Sequence, residues 1–319
     1  ANSASSTLRR LIVAQVNDNI APTEVGKLVL VSSVALAKSI GGQGSMLAAM
    51  YETFRKADPI GEIWCLPLHN AEGAVAKGVL TLTGTATQAG LLNLYVGGVR
   101  VQATVVNGAT AAQAATALAQ KINASADLPV SAAAAEGVVT LSAKWTGDSG
   151  NDISLQFNRL GKSNGEETPA GLTSAVTAMT GGAGVPDQIA AVAALGDEPF
   201  EFIALPWSDL ATLNTWQAVM DDSTGRWSWA KQLFGHVYSA KRGTIGTLVA
   251  AGQARNDQHM TIQALEPGVP QPFWVQAAAL AARTSVFISA DASRPTQSGS
   301  LPGLDPAPAS ERFTLTERQ

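Results

Sequence analysis

EIWCLPLHNAEGAVAKGVLTLTG, residues 62–84, is where one kind of chain turns into another. Its first seven residues are an apolar run, as expected of a strand buried on both faces of a parallel sheet. Its last six, VLTLTG, alternate apolar and polar with period two, the mark of a half-buried strand in an antiparallel sheet. The change falls near Ala76. Before it, strands alternate with helices; after it, hairpins follow one another.

Working back from residue 62, residues 45–56 (SMLAAMYETFRK) read as a helix with Met46, Met50 and Phe54 on one face and Leu47 beside them. Asp58-Pro59 stops it, because proline disfavours helix in the residue before it. Residues 27–32 (KLVLVS) and 11–16 (LIVAQV) read as two further strands. Working forward, residues 91–106 form two alternating strands around Gly97-Gly98, and a tight hairpin turn needs the positive φ that glycine supplies. Residues 110–124 read as a helix with Ala114, Leu118 and Ile122 inward. A second hairpin turns at Glu136-Gly137, strands follow near 153–157 and 172–179, and Gly181-Gly182-Ala183-Gly184 makes a flexible joint.

Past the joint the first rhythm resumes. Pro186 opens a helix with Ile189, Val192 and Leu195 inward, and residues 200–205 (FEFIAL) are a strand. Ser208 caps a helix with Leu213, Trp216 and Met220 inward, and 235–239 is a strand. Thr244 caps a helix bearing Ile245, Leu248 and Val249 that Gly252 closes. Residues 259–265 (HMTIQAL) are a strand, 272–288 a long apolar helix, and 291–308 an irregular stretch with Pro295, Pro302, Pro306 and Pro308. Three strands precede the β-rich stretch and three follow it. The economical reading is an α/β fold: a mostly parallel sheet covered by helices, built from residues 8–75 plus 183–319. An inserted β-rich, sandwich-like α+β domain then occupies residues 76–182. Three domains in a row is the competing reading, and it leaves residues 8–75 as a marginal fold.

Composition narrows the function. The 319 residues are 46% hydrophobic and only 14% charged, with a net charge of −4. That suits real cores and a surface partly covered by partners. It leaves no basic footprint for nucleic acid. No apolar run reads as long enough to cross a bilayer, and the residues at the start show no basic segment followed by an apolar one. A single cysteine excludes an intrachain disulfide framework.

No candidate site assembles into chemistry: no catalytic, cofactor-binding or metal-binding residue is assigned. Gly41-Gly42-Gln43-Gly44-Ser45 lacks the Lys-Ser/Thr of a phosphate loop and reads as a turn with Ser45 as helix cap. A nucleophilic Ser45 would need a histidine held by an acid, and His69, His236 and His259 sit in no such motif. Cys65, inside an apolar strand, reads as inert core. Asp148-Ser149-Gly150-Asn151-Asp152 is dense in oxygen ligands but lacks a terminal bidentate Glu, and reads as a turn before Ile153. Trp207, Trp216, Trp227 and Trp229, with Arg226 and Lys231, read as core or as interface hot spots, since two cations do not make a groove for nucleic acid.

Several stretches, in order, resemble the tail sheath proteins of Mu-like phages. They are residues 42–50 with Phe54, 62–68, 90–105, 135–144, 150–153, 181–187, 202–209 (FIALPWSD), 235–240 (GHVYSA), 242–244 and 301–306 (LPGLDP). The resemblance implies a subtilisin-like α/β fold without protease activity, carrying inserted β-rich domains. It implies a structural, non-enzymatic subunit with no cofactor. Such a subunit polymerises with copies of itself around a tail tube, between baseplate and tail terminator, and contracts to drive the tube through the host envelope. Its places are the virion tail and, during assembly, the host bacterial cytoplasm; neither nucleic acid nor membrane is expected as a partner. A phage-derived bacteriocin or injection machine would use the same protein; a serine hydrolase of subtilisin-like fold and a surface adhesion module using the β domain are the alternatives from other classes. Family members also have a C-terminal domain and terminal arms. Residues 1–6 start without Met and 316–319 end within a charged stretch, so both ends are read as cuts in a longer chain, N-terminal processing being the other reading of the first. The piece is then expected to be monomeric or weakly oligomeric and to form no sheath alone.

Overall fold

The computed structural model describes residues 8–21, 23–70, 72–293 and 299–318. Residues 1–6, Pro295 and Gln319, on which parts of the sequence reading fall, lie outside them. The chain is a mixed α/β protein with three sheets and, among the described residues, eight α-helices.

The first flank supplies β1 (Arg10–Gln15), β2 (Val29–Leu30), α1 (Val34–Gly41), α2 (Met46–Ala57) and β3 (Ile63–Leu68). The middle of the chain supplies β4 (Val75–Gly84), β5 (Gly90–Val96), β6 (Val99–Val105), α3 (Ala111–Ala124), β7 (Val130–Ala135), β8 (Val138–Thr146), β9 (Leu155–Phe157) and β10 (Leu172–Thr180). The second flank adds α4 (Gln188–Ala193), β11 (Phe202–Ala204), α5 (Leu210–Met220), β12 (His236–Arg242), α6 (Ile245–Gln253), β13 (Met260–Leu265), α7 (Phe273–Ala290) and α8 (Leu315–Arg318).

Strands of both flanks share one six-stranded sheet, ordered β13-β12-β11-β1-β3-β2. The pairs β13–β12, β12–β11, β11–β1 and β1–β3 are parallel; β2 runs antiparallel to β3. β1 lies at the centre, and all six of its residues are buried. α2 and α7 pack on each other and on one face of this sheet. Right-handed crossovers put α5 and α6 on the other. The middle strands form two antiparallel sheets, β10-β4-β8-β7 and β6-β5-β9, with α3 packed against both. Thr110 and Gln113 close a capping box at the start of α3, which frees that helix from needing any other cap.

Several local readings are corrected. Of residues 27–32 only Val29 and Leu30 pair as a strand, because Ser33 immediately caps α1, a helix the sequence reading missed. Asp209, not Ser208, caps α5. Asp187 caps α4, so the helix starts at Gln188 and not at Pro186; Ile189 faces outward at 75% exposure, while Ala191 and Leu195 go inside. α7, at 18 residues, is long and apolar enough to cross a bilayer by length and composition, against the reading of the sequence. In the fold it packs against α2, β11 and β12 and buries Trp274, Ala278 and Ala282.

Candidate functional site

In open sheets of this pairing, ligands ordinarily bind past the carboxyl ends of the strands, where strand order reverses. Here that point lies between β1 and β11. The chain fills it with its own middle segment. Gln15, at the end of β1, donates from Nε2 to Thr146 O (2.7 Å) and accepts at Oε1 from the Ser149 hydroxyl (3.2 Å). Ser149 also accepts from Trp145 Nε1 (2.9 Å). Asp18 receives the Thr146 hydroxyl (2.8 Å), and its own N–H donates to Lys144 O (3.1 Å). The Asp148 N–H donates to Gly184 O (2.9 Å) at the second crossing between the segments. Burial, with Asp209 nearby, raises the Asp148 carboxyl above its usual range.

Residues 148–152, rich in oxygen atoms, form a single 3-10 turn whose side chains are spent on the protein. Asn151 holds the backbone of Gly182 at both N–H (2.8 Å) and C=O (2.9 Å). Asp152 takes a bidentate ion pair from Arg242 at the end of β12 (2.7 and 3.1 Å) and the N–H of Phe273 at the start of α7 (2.8 Å). Trp145 meets Trp274 edge-on at 5.5 Å, both rings fully buried, a contact worth about 1 kcal/mol beyond its area. Asn70 Nδ2, Trp207 Nε1 and Asp209 Oδ2, just past the ends of β3 and β11, are buried without a protein partner. Groups of this kind are ordinarily met by ordered water.

The glycine loop is equally self-satisfied. The Ser45 hydroxyl is fully buried and caps α2 by accepting from the Ala48 N–H (3.0 Å). Gln43 O accepts from Asn17 Nδ2 and Lys144 Nζ (3.0 Å each). Gly44 has φ +75°, and a Cβ there would lie 2.1 Å from Leu128 O, so close approach of backbones explains the glycine without any phosphate. Beside this loop a cleft of about 730 Å³ opens between α2, the β5–β6 turn and the start of α7. Its charged rim is paired: Lys38 with Asp127, Lys56 with Glu52, Asp305 with Arg159.

Among the described residues no serine hydroxyl hydrogen-bonds a histidine, and no three Asp, Glu, His or Cys gather to hold a metal. Cys65 is buried, and burial pushes its thiol pKa far up. Trp207 and Trp216 are core residues, Trp227 is half-buried and stacks on His259 (4.3 Å), and Trp229 is 88% exposed. Arg226 is buried and donates to the carbonyls of Gly196 and Glu198, so it is not available to a nucleic acid.

His259 accepts or donates at Nε2 with Asp222 (2.8 Å), and His236 bonds the Thr261 hydroxyl (2.8 Å). Burial first, and the charge of His259 second, hold His236 down to about 4 against the pull of Asp257. Between pH 6.5 and 4 the unfolded chain therefore holds a proton at this ring that the folded chain rejects. His236 lets stability stand in full above pH 6.5 and removes it as pH falls through that window, by up to about 3 kcal/mol. His236→Asn should flatten this part of a plot of urea-unfolding free energy against pH; an unchanged slope would assign it to other groups.

Fold and site together define a mixed α/β protein whose customary ligand crevice is closed by its own chain. Residues 181–319 match the phage tail sheath protein central domain. Over 296 residues the chain is 37% identical to the Mu-like prophage FluMu tail sheath protein of Haemophilus influenzae, an alignment covering 92% of this chain and 59% of that protein. The chain is thus similar to a Mu-like tail sheath protein along nearly all of its own length and spans 59% of that relative's. Two solved sheath tail proteins align with it. The one from Desulfitobacterium hafniense is 16% identical with a TM-score of 0.36, over 86% of this chain and 58% of that one. The one from Listeria innocua is 10% identical with a TM-score of 0.34, over 88% and 57%. These scores are too low to equate the folds.

Proposed function

We propose that this chain is part of the structural subunit of a contractile phage tail sheath. The observation that carries the reading is the 37% identity to a Mu-like tail sheath protein along nearly all of this chain. The closed crevice supports it: a surface that docks on copies of itself needs no ligand pocket. In this reading residues 8–75 and 183–319 form a discontinuous sheath core domain, a mostly parallel sheet covered by helices, and residues 76–182 are a domain inserted into it. The subunit is not an enzyme. It polymerises head to tail around the tail tube, between baseplate and tail terminator, through contacts that do not close on themselves. Shortening of that polymer drives the tube through the host envelope, with free energy stored in one packing of the subunits and released in another. Its place is the virion tail, after assembly in the bacterial cytoplasm.

Gold-labelled antibodies against residues 1–319 should decorate tails from the organism carrying this gene along their whole length, in extended and contracted particles alike. Decoration confined to the head or baseplate, or of particles without a contractile tail, would overturn the reading.

A further inference from the structure

The edge of the six-stranded sheet formed by β13 is unguarded, and the helix before it has no fully buried residue. The carbonyls of His259 and Leu265 are taken by the N–H groups of Val237 and Gly243. In a parallel ladder the odd-numbered residues of β13 therefore turn toward β12, and the N–H and C=O groups of Met260, Ile262 and Ala264 point outward. Natural edges are blunted by charge, proline, a bulge or extreme shortness. β2, at the opposite edge, is two residues long. β7 is guarded by Asn123, whose amide bonds both the N–H (2.9 Å) and the C=O (2.8 Å) of Ala132. β13 has six residues, no bulge against β12, no proline and no Asp, Glu, Lys or Arg.

α6 buries none of its nine residues, and residues 243–254 contain no Asp, Glu, Lys or Arg. A helix this short is not stable in water through propensity alone and depends on an apolar face packed against something. Ile245, Leu248 and Val249 provide that face; the first two are half-buried and Val249 is 47% exposed. Gln263 reaches Gln276 of α7 (3.5 Å), so Ile262 lies on the other face of the sheet, the side of α6.

We propose that β13 and α6 together form a docking surface for a second copy of this chain, with β13 pairing antiparallel to its counterpart about Ile262. The outward backbone groups specify an extended strand as partner. An identical edge fits them, because Met260 meets Ala264 of the other copy and no like charges are brought together. The two-fold axis of such a pair stands normal to the sheet, so α6 meets α6 on the same face and each covers the other's Ile245, Leu248 and Val249. One strand edge and one short helix make a small interface, so the dissociation constant should be on the order of 10 µM. This contact closes on itself, is separate from the open contacts of the sheath reading, and stands or falls without it.

Sedimentation equilibrium of residues 1–319 from about 1 to 500 µM tests it. The expected result is a monomer–dimer equilibrium that Val249→Glu weakens at least tenfold with an unchanged thermal melt. Mixing Val249→Glu with Val249→Lys should restore association to wild-type strength or better. A chain monomeric throughout, a dimer indifferent to Val249→Glu, or a mixture that fails to restore it would each overturn the proposal.

Discussion

Arg242→Ala is expected to lower the unfolding free energy by about 4 kcal/mol and to loosen the two smaller sheets from the large one. Arg242 ends β12 and spends every guanidinium nitrogen. Nε and Nη2 hold the two oxygens of Asp152 (2.7 and 3.1 Å). Nη1 donates to the carbonyls of Val269 (2.6 Å), Pro267 (3.1 Å) and Glu266 (3.3 Å), and Nη2 also to Gln271 (2.8 Å). One side chain thus fixes the turn before β9, the loop after β13 and the start of α7. Pair and loop are mostly shielded from water, so truncation strands a carboxylate and several carbonyls at once, and losses of about 3–5 kcal/mol follow when one partner of such a pair is removed. Arg242→Lys should recover less than half, because an ammonium cannot reproduce the planar fork. Urea unfolding gives the free energies. Limited proteolysis across residues 181–184 and 266–271 reports the loosening. A loss below about 1 kcal/mol would show that Trp145–Trp274 and the Gln15–Ser149 contacts hold the sheets together unaided.

That keystone is invisible in the sequence, and the reason is general. The features legible beforehand were local. Gly97-Gly98 and Glu136-Gly137 turn hairpins because their backbones adopt positive φ. Ser45 and Thr244 cap helices because their hydroxyls meet an N–H three residues on. Cys65 is core because its neighbours are apolar. Arg242 and Asp152 are 90 positions apart, and no periodicity joins them. The same limit applies to α6: nothing in the sequence shows that Ile245 and Leu248 end half-buried and Val249 47% exposed. Trp229 sits in the same run as Trp227 and is turned to solvent, while Trp227 is drawn in by His259 and by Gly235 O. α1 was missed because the β-like run 27–32 leads directly into it; only the cap at Ser33 marks the change. The family was legible through the order of many weak matches, and the closing of the crevice was not, since it depends on Thr146 and Ser149 reaching Gln15.

Asp58→Ala should be comparably damaging through a different mechanism. Asp58 is 1% exposed and pairs with Arg10, itself 6% exposed, at 2.8 Å. The carboxylate also accepts from the Gly61 N–H (2.8 Å) and from the Ser285 hydroxyl (3.2 Å). It therefore ties the end of α2 to the start of central β1 and to α7. Arg10 retains the Ser289 hydroxyl (3.3 Å), the carbonyl of Leu8 and the face of Phe202, none of which balances its charge. Removing the acid leaves a buried guanidinium without a counter-ion, and a loss of about 3–5 kcal/mol follows. The decisive comparison is the double variant Arg10→Met/Asp58→Leu. If the cost of the single change is an unpaired charge, removing both charges should return most of the lost stability. If the double variant is as unstable as the sum of the single changes, geometry rather than charge is what Asp58 supplies, and the hydrogen bonds to Gly61 and Ser285 carry the effect.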